Sequence, residues 1–197
     1  MDDKQKFRKK SIQRLKSAQY KPGLSFVLQK QVEKIIKRKK ARVILFYLPM
    51  AFEPDLVKLM QKLRRDRVVL VPFMEGISFK TVQYRLPLKK ARFNIAQPGD
   101  SMKFQKKIDI AIVPVVGIDC SKKRVGFGKG MYDRFFDRLH YKPYTVFIQT
   151  VPCISKKKIT NHYDVQADHY ITARKSLQQQ GLKSVFRDSY SGACCRG

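Results

Sequence analysis

Apolar and polar positions change rhythm several times along the chain, and each rhythm predicts an element. In residues 4–19, Phe7, Ile12 and Leu15 recur at three- and four-residue steps between basic residues, which predicts a helix with one thin apolar stripe. Pro22 and Gly23 break that pattern. Ser25 then stands where it can cap a second helix, with Val27, Leu28, Val32, Ile35 and Ile36 at helical spacing and the basic run Lys37–Lys40 at its end. The run ARVILFYLP, residues 41–49, is continuous, apolar, branched and aromatic, as in a strand buried on both faces of a parallel sheet. Leu56, Val57, Leu59, Met60 and Leu63 return to helical spacing with Pro54 in the first turn, and VVLVPF, residues 68–73, is the next buried strand.

A strand, helix, strand series of this kind forms the right-handed crossover unit, so the fold class is α/β, a mostly parallel sheet flanked by helices. Residues 74–107 are less regular, with a short strand at ISFKTV and a turn at Gln97–Asp100. IDIAIVP, residues 108–114, is another buried strand. A glycine-rich loop follows, then a helix over 131–139, a strand at YTVFIQ, residues 144–149, and a last strand at ADHYIT, residues 167–172. The sequence carries no internal repeat, and 197 residues fit one domain, expected over 1–182 with a weakly ordered tail over 183–197.

Charge narrows the partners. Lys plus Arg number 43 against 15 Asp plus Glu, a formal charge of +28 that favours anionic ligands without choosing among them. A basic nucleic-acid-binding protein is the alternative this raises. The basic residues are nevertheless spread along the chain and no nucleic-acid-binding motif accompanies them, so no specific nucleic acid is expected. No apolar run reaches about 18 residues and MDDKQKFRKK lacks a signal core, so no membrane is expected and the cytoplasm is the expected location. Cys120, Cys153, Cys194 and Cys195 form no C-x-x-C pair, and with three histidines they suggest neither a zinc site nor a disulfide framework.

The chemistry concentrates in RVGFGKGMYDRFF, residues 124–136, between a buried strand and a helix, the position at which open α/β sheets bind ligands. Gly126, Gly128 and Gly130 allow successive N–H groups to curl around an anion, and Arg124 and Lys129 add full charges. The spacing is that of neither a P-loop nor a dinucleotide fingerprint, so the stretch is a different phosphate loop or a plain connector. Asp133 can hold Mg²⁺ against phosphates or cap the helix. Glu53, just after the 41–48 strand, either faces the same region or sits there because a helix N-terminus favours an acid.

At these residues the chain resembles the 5-formyltetrahydrofolate cyclo-ligases, or methenyltetrahydrofolate synthetases. Their pattern is a strand ending in proline, a short apolar loop, then R-x-G-x-G-x-G-x-Y-D-R, which here runs from Ile112 to Phe136. KQKFR (4–8), FYLPMAFEPD (46–55), NIAQPGD (94–100) and HYDVQADHYIT (162–172) extend the likeness over roughly residues 2–173. The resemblance implies a Rossmann-like three-layer fold of the NagB/RpiA/CoA-transferase type and a monomer. It implies an enzyme that uses MgATP to phosphorylate the formyl oxygen of 5-formyltetrahydrofolate, after which N10 closes the ring to 5,10-methenyltetrahydrofolate with release of ADP and phosphate. It assigns ATP to Lys4, Arg8, Arg124, Gly126, Phe127, Gly128, Lys129, Gly130, Met131 and Tyr132. The folate falls to Leu48, Glu53, Phe127, Gly128, Lys129, Gly130 and Met131, Mg²⁺ to Asp133 and Asp164, and catalysis to Arg124 and Lys129. Two departures stand out: Met131 replaces the family's tyrosine, and Tyr163 replaces the histidine expected before Asp164, with Asp168 as the fallback metal ligand.

Overall fold

The structure, a computed structural model, describes residues 2–18, 23–90, 96–99, 107–173 and 176–178. Asn94, Ile95 and Asp100 of the NIAQPGD stretch, and the tail over 183–197 with Cys194 and Cys195, lie outside the described residues.

Helices α1 (Asp3–Ala18) and α2 (Leu24–Arg38) lead into β1 (Val43–Leu45), α3 (Val57–Leu63), β2 (Val68–Glu75) and β3 (Ser78–Gln83). Two short strands, β4 (Lys89–Lys90) and β5 (Ala96–Gln97), pair antiparallel with each other. Next come β6 (Ile110–Pro114), β7 (Gly117–Ile118), β8 (Arg124–Val125), α4 (Met131–Asp137), β9 (Tyr144–Gln149), β10 (His169–Thr172) and β11 (Ser176–Gln178). Seven strands form one sheet in the order β11-β10-β9-β6-β1-β2-β3. The five central strands are parallel, while β3 and β11 run antiparallel at the edges.

Strand alternation explains the three layers. Ile44, Val69, Val71, Ile110, Ile112, Val146 and Ile148 point to one face, where Leu28, Val32, Ile35 and Ile36 of α2 and Leu59, Met60 and Leu63 of α3 cover them. Leu45, Leu70, Ala111, Val113 and Phe147 point to the other, against Phe135 of α4. Because both faces are covered, the strands read as unbroken apolar runs. Helix α1 lies apart, packing Leu15, Ala18 and half-buried Phe7 on Val151 and Cys153. Its buried stripe passes through Ser11 rather than Ile12, which stays half-exposed.

Several boundaries differ from the sequence expectation. Ser25 does not cap α2: Gly23 takes that place with a left-handed φ of 80°, and the Ser25 hydroxyl accepts the Asp55 N–H at 3.1 Å instead. Pro54 lies outside α3, because its carbonyl accepts the buried Tyr47 hydroxyl at 2.6 Å and Asp55 Oδ1 takes the Val57 N–H at 2.8 Å, so the helix begins at Val57. The strand at 68–73 runs on to Glu75 and turns into β3, and β11 follows the strand expected to be last.

Candidate active site

The carboxyl ends of β1 and β6 point to one edge of the sheet, and the loops that leave them build the site. Between β7 and β8 the chain turns around Asp119, a fully buried acid. Its Oδ1 accepts Ser121 N–H at 2.9 Å and Ser121 Oγ–H at 2.6 Å; its Oδ2 accepts Ile159 and Thr160 N–H at 3.0 Å each and the Thr160 hydroxyl at 2.5 Å. Burial alone would raise this carboxyl, yet the hydrogen bonds from Ser121, Thr160, Ile159 and Lys123 hold it below its usual value. Asp119 thereby fastens the start of the glycine loop to residues 159–160.

Arg124 enters the loop almost fully buried. Its guanidinium lies 3.6 Å from Asp133 Oδ2 and 4.9 Å above the Tyr132 ring, while Nε donates to the Pro114 carbonyl at 3.4 Å. A Cβ on Gly126 would sit 2.5 Å from Arg124 Nη1, so a side chain there and this guanidinium cannot share the space. Arg8 reaches across from α1 and donates its Nε–H to the Gly126 carbonyl at 2.8 Å. Gly130 ends the loop at a φ of 59°, the left-handed region glycine favours, and opens α4. Arg134, one turn on, donates Nε–H and Nη2–H to the Ile77 carbonyl at 3.0 and 2.6 Å and Nη2–H also to the Lys129 carbonyl, tying the loop to the β2–β3 turn.

The loop held in this way separates two cavities. One, of about 280 Å³, is lined mainly by apolar groups, among them Leu48, Met74, Phe79, Phe127, Met131 and Tyr132, together with Glu53. Phe127 packs on Phe52 at 5.4 Å. Glu53 Oε2 accepts the Met50 N–H at 2.9 Å, and burial in this apolar setting raises its carboxyl from 4.5 to about 7 despite that hydrogen bond and the charge of Arg124. Burial, with the Glu53 charge adding to it, also keeps the Tyr132 hydroxyl un-ionised.

The other cavity, of about 580 Å³, is lined by charge: Lys4, Arg8, Arg134, Asp133, Asp137 and Asp164, with Gly126 and Gly128. Lys4 Nζ donates to Asp164 Oδ2 at 2.6 Å, the same oxygen that accepts the Asn161 N–H at 2.6 Å. Asp133 Oδ1 accepts the Val165 N–H at 3.2 Å. Arg124, Lys129 and Gly130 line both cavities.

Apart from Asp168, the residues nominated from the sequence therefore meet at one sheet edge. Phe127, Met131 and Tyr132 face the apolar cavity, whereas Gly128 faces the charged one. Asp168 is absent from both linings; its Oδ2 accepts the Thr145 N–H at 2.8 Å and its Oδ1 lies 3.7 Å from Lys142 Nζ, so it braces β9 instead. Among the described residues no three His, Cys, Asp or Glu side chains gather into a metal cluster. Asp119, Tyr47 and Arg134 were not nominated. Asp119 followed by Ser121 is an Asx-turn signal, and Arg134 closes the R-x-G-x-G-x-G-x-Y-D-R pattern, so both left traces in the sequence.

The solved structures most informative for this architecture include the NMR structure of an Aquifex aeolicus 5,10-methenyltetrahydrofolate synthetase. It has a TM-score of 0.74 at 22% identity and spans 98% of this chain and 96% of its own. A 5,10-methenyltetrahydrofolate synthetase from Mycoplasma pneumoniae superposes with a TM-score of 0.66 at 20% identity, over 86% of this chain and 98% of its own. At those identities the two share the α/β fold described above. A model of the 5-formyltetrahydrofolate cyclo-ligase family matches residues 1–172, which include every residue that lines the two cavities. With its match spanning α1 through the end of β10, the chain belongs to the 5-formyltetrahydrofolate cyclo-ligase family.

Proposed function

We propose that the chain carries out the reaction of its family, the ATP-dependent cyclisation of 5-formyltetrahydrofolate to 5,10-methenyltetrahydrofolate with release of ADP and phosphate. The observation that carries this reading is the pair of unlike cavities meeting at Arg124, Lys129 and Gly130. A flat heteroaromatic ring suits an apolar wall with Phe127 and Met131, and a triphosphate suits Lys4, Arg8 and the backbone of Gly126 and Gly128. The reaction needs both ligands in contact at the formyl oxygen, hence two cavities with a common wall.

In this reading Glu53 receives pterin N–H groups and orients the ring. Arg124 and Lys129 face the γ-phosphoryl group as it passes to the formyl oxygen, where positioning and charge neutralisation supply most of the acceleration. N10 then attacks the formyl carbon, loses its proton, and the carbon–oxygen bond to phosphate breaks. No protein nucleophile takes part. Asp133 and Asp164 offer hard carboxylate oxygens to the charged cavity, a donor set that fits Mg²⁺, which takes one or two carboxylates plus phosphate oxygens. Bound there, the ion would neutralise phosphate charge; Lys4 holds Asp164 in place. The unit is proposed as one cytoplasmic, monomeric cyclo-ligase domain over 1–182. Among the described residues no helix is long and apolar enough to cross a membrane.

The test is direct: purified protein, MgATP and 5-formyltetrahydrofolate, followed by the absorbance of the methenyl product. Product that depends on ATP and on protein concentration is expected; none under any condition overturns the proposal.

A further inference from the structure

The charged cavity offers cations and carboxylates to a triphosphate and its metal, but a nucleotide also carries a base with two apolar faces. Among the described residues that line this cavity, one side chain holds a ring: Tyr163, next to Asp164. It is 60% exposed, so a ligand can reach it, yet it is not loose. Its hydroxyl oxygen accepts Asn161 Nδ2–H at 2.7 Å, and its ring meets that of His162 at 5.1 Å and 80°. The turn beneath the ring is fixed as well. Lys123 Nζ donates to the Asn161 and His162 carbonyls at 2.9 and 2.8 Å, the Asn161 N–H donates to Asp164 Oδ2 at 2.6 Å, and Asp119 holds the N–H groups of Ile159 and Thr160. Residues 161–164 thus bring a carboxylate and, one position before it, an ordered, open ring to the same cavity.

We propose that Tyr163 is the stacking platform for the purine base of the nucleotide, an inference that rests on the charged cavity taking ATP. The other groups that line the cavity are charged side chains, side-chain amides and glycines, and none of these carries an aromatic face. Guanidinium planes also stack on bases, but the three arginines here are committed elsewhere: Arg8 to the Gly126 carbonyl, Arg124 to Asp133 and Arg134 to the Ile77 carbonyl. An exposed tyrosine ring gains by covering its face with another ring while its hydroxyl keeps its polar partner. Because Asn161 and the Lys123-braced turn already hold it, the ring loses little freedom when a base settles on it. The platform also divides the ligand between neighbouring residues, with the base on Tyr163 and the metal-bound phosphates toward Asp164.

The experiment compares two probes on the full chain, MgADP and magnesium pyrophosphate, which differ in the nucleoside. By calorimetry, Tyr163→Ala should weaken MgADP binding about tenfold and pyrophosphate binding by less than about twofold. Tyr163→Phe, which keeps the ring and loses the Asn161 hydrogen bond, should hold MgADP within about threefold of the native chain. The sequence contains no tryptophan, so Tyr163→Trp sets a single fluorophore at this position. MgADP should quench its emission, and pyrophosphate should leave it unchanged. Three results overturn the platform alone: MgADP binding indifferent to Tyr163→Ala, both probes weakened equally, as for a ring that merely props up Asp164, or quenching by pyrophosphate as strong as by MgADP. If the native chain binds neither probe, the ATP reading of the cavity falls and the platform with it.

Discussion

The two cavities that flank residues 124–130 are built from opposite materials although they share a wall. On the apolar side, Leu48, Phe127 and Met131 surround one acid, Glu53, and burial lifts that acid to about 7. On the charged side, Asp133 and Asp164 each have a cation within 4 Å, Arg124 and Lys4 respectively. One side offers area and a carboxyl near neutrality; the other offers paired charge. In the proposed function a loop of alternating glycines serves two ligands, with its side chains at Phe127 and Met131 lining one cavity and its glycines at Gly126 and Gly128 lining the other.

Replacing the shared residue should erase the contrast altogether. Arg124→Gln leaves Asp133 without its buried partner and removes a cation from both cavities. It should lower kcat/KM on the order of 1,000-fold for either substrate and stability by about 3 kcal/mol, read by steady-state kinetics and thermal melting. A loss confined to one substrate would mean that the wall is not shared. Asp133→Asn acts on the charged side alone: turnover should fall roughly 100-fold with its Mg²⁺ dependence blunted, while the folate KM stays within about twofold. Gly126→Ala drives a methyl group into the Arg124 guanidinium, and the overpacking should cost about 1–3 kcal/mol with roughly tenfold lower turnover.

The effect that belongs to the apolar side alone is seen in pH. Because the folded state raises the Glu53 carboxyl from 4.5 to about 7, its contribution to stability is full below pH 4.5, declines between 4.5 and 7, and is gone above. Glu53→Gln has nothing to ionise, so its stability should pull ahead of the native chain's as pH rises through that window, by about 3 kcal/mol above pH 7 in denaturant titrations. Parallel profiles for the two proteins would place Glu53 in contact with water rather than in the apolar cavity.

Much of this was legible in the sequence because it rests on local rules. Continuous apolar runs announced β1, β2, β6 and β9, since a strand covered on both faces needs no polar alternation. The glycine loop was visible as a candidate site from glycine spacing next to Arg124, Lys129 and Asp133. What stayed hidden depends on partners far along the chain. Pro54 looked like a helix start because nothing in the sequence shows its carbonyl engaged by Tyr47. Arg134 closes the glycine motif in the sequence, but its two hydrogen bonds to Ile77, 57 positions away, are not written there. Asp119 gathers Ile159 and Thr160, so its role emerges only once both segments are folded.

The division of labour across the loop is tested most directly by measuring the KM of both substrates in methenyl formation for two variants, Phe127→Ala and Lys4→Gln, each touching one cavity only. Phe127→Ala should raise the folate KM about tenfold and leave the ATP KM within about twofold, and Lys4→Gln should do the reverse. If both variants raise the same KM, or each raises both equally, the two cavities do not hold different substrates and the account is wrong.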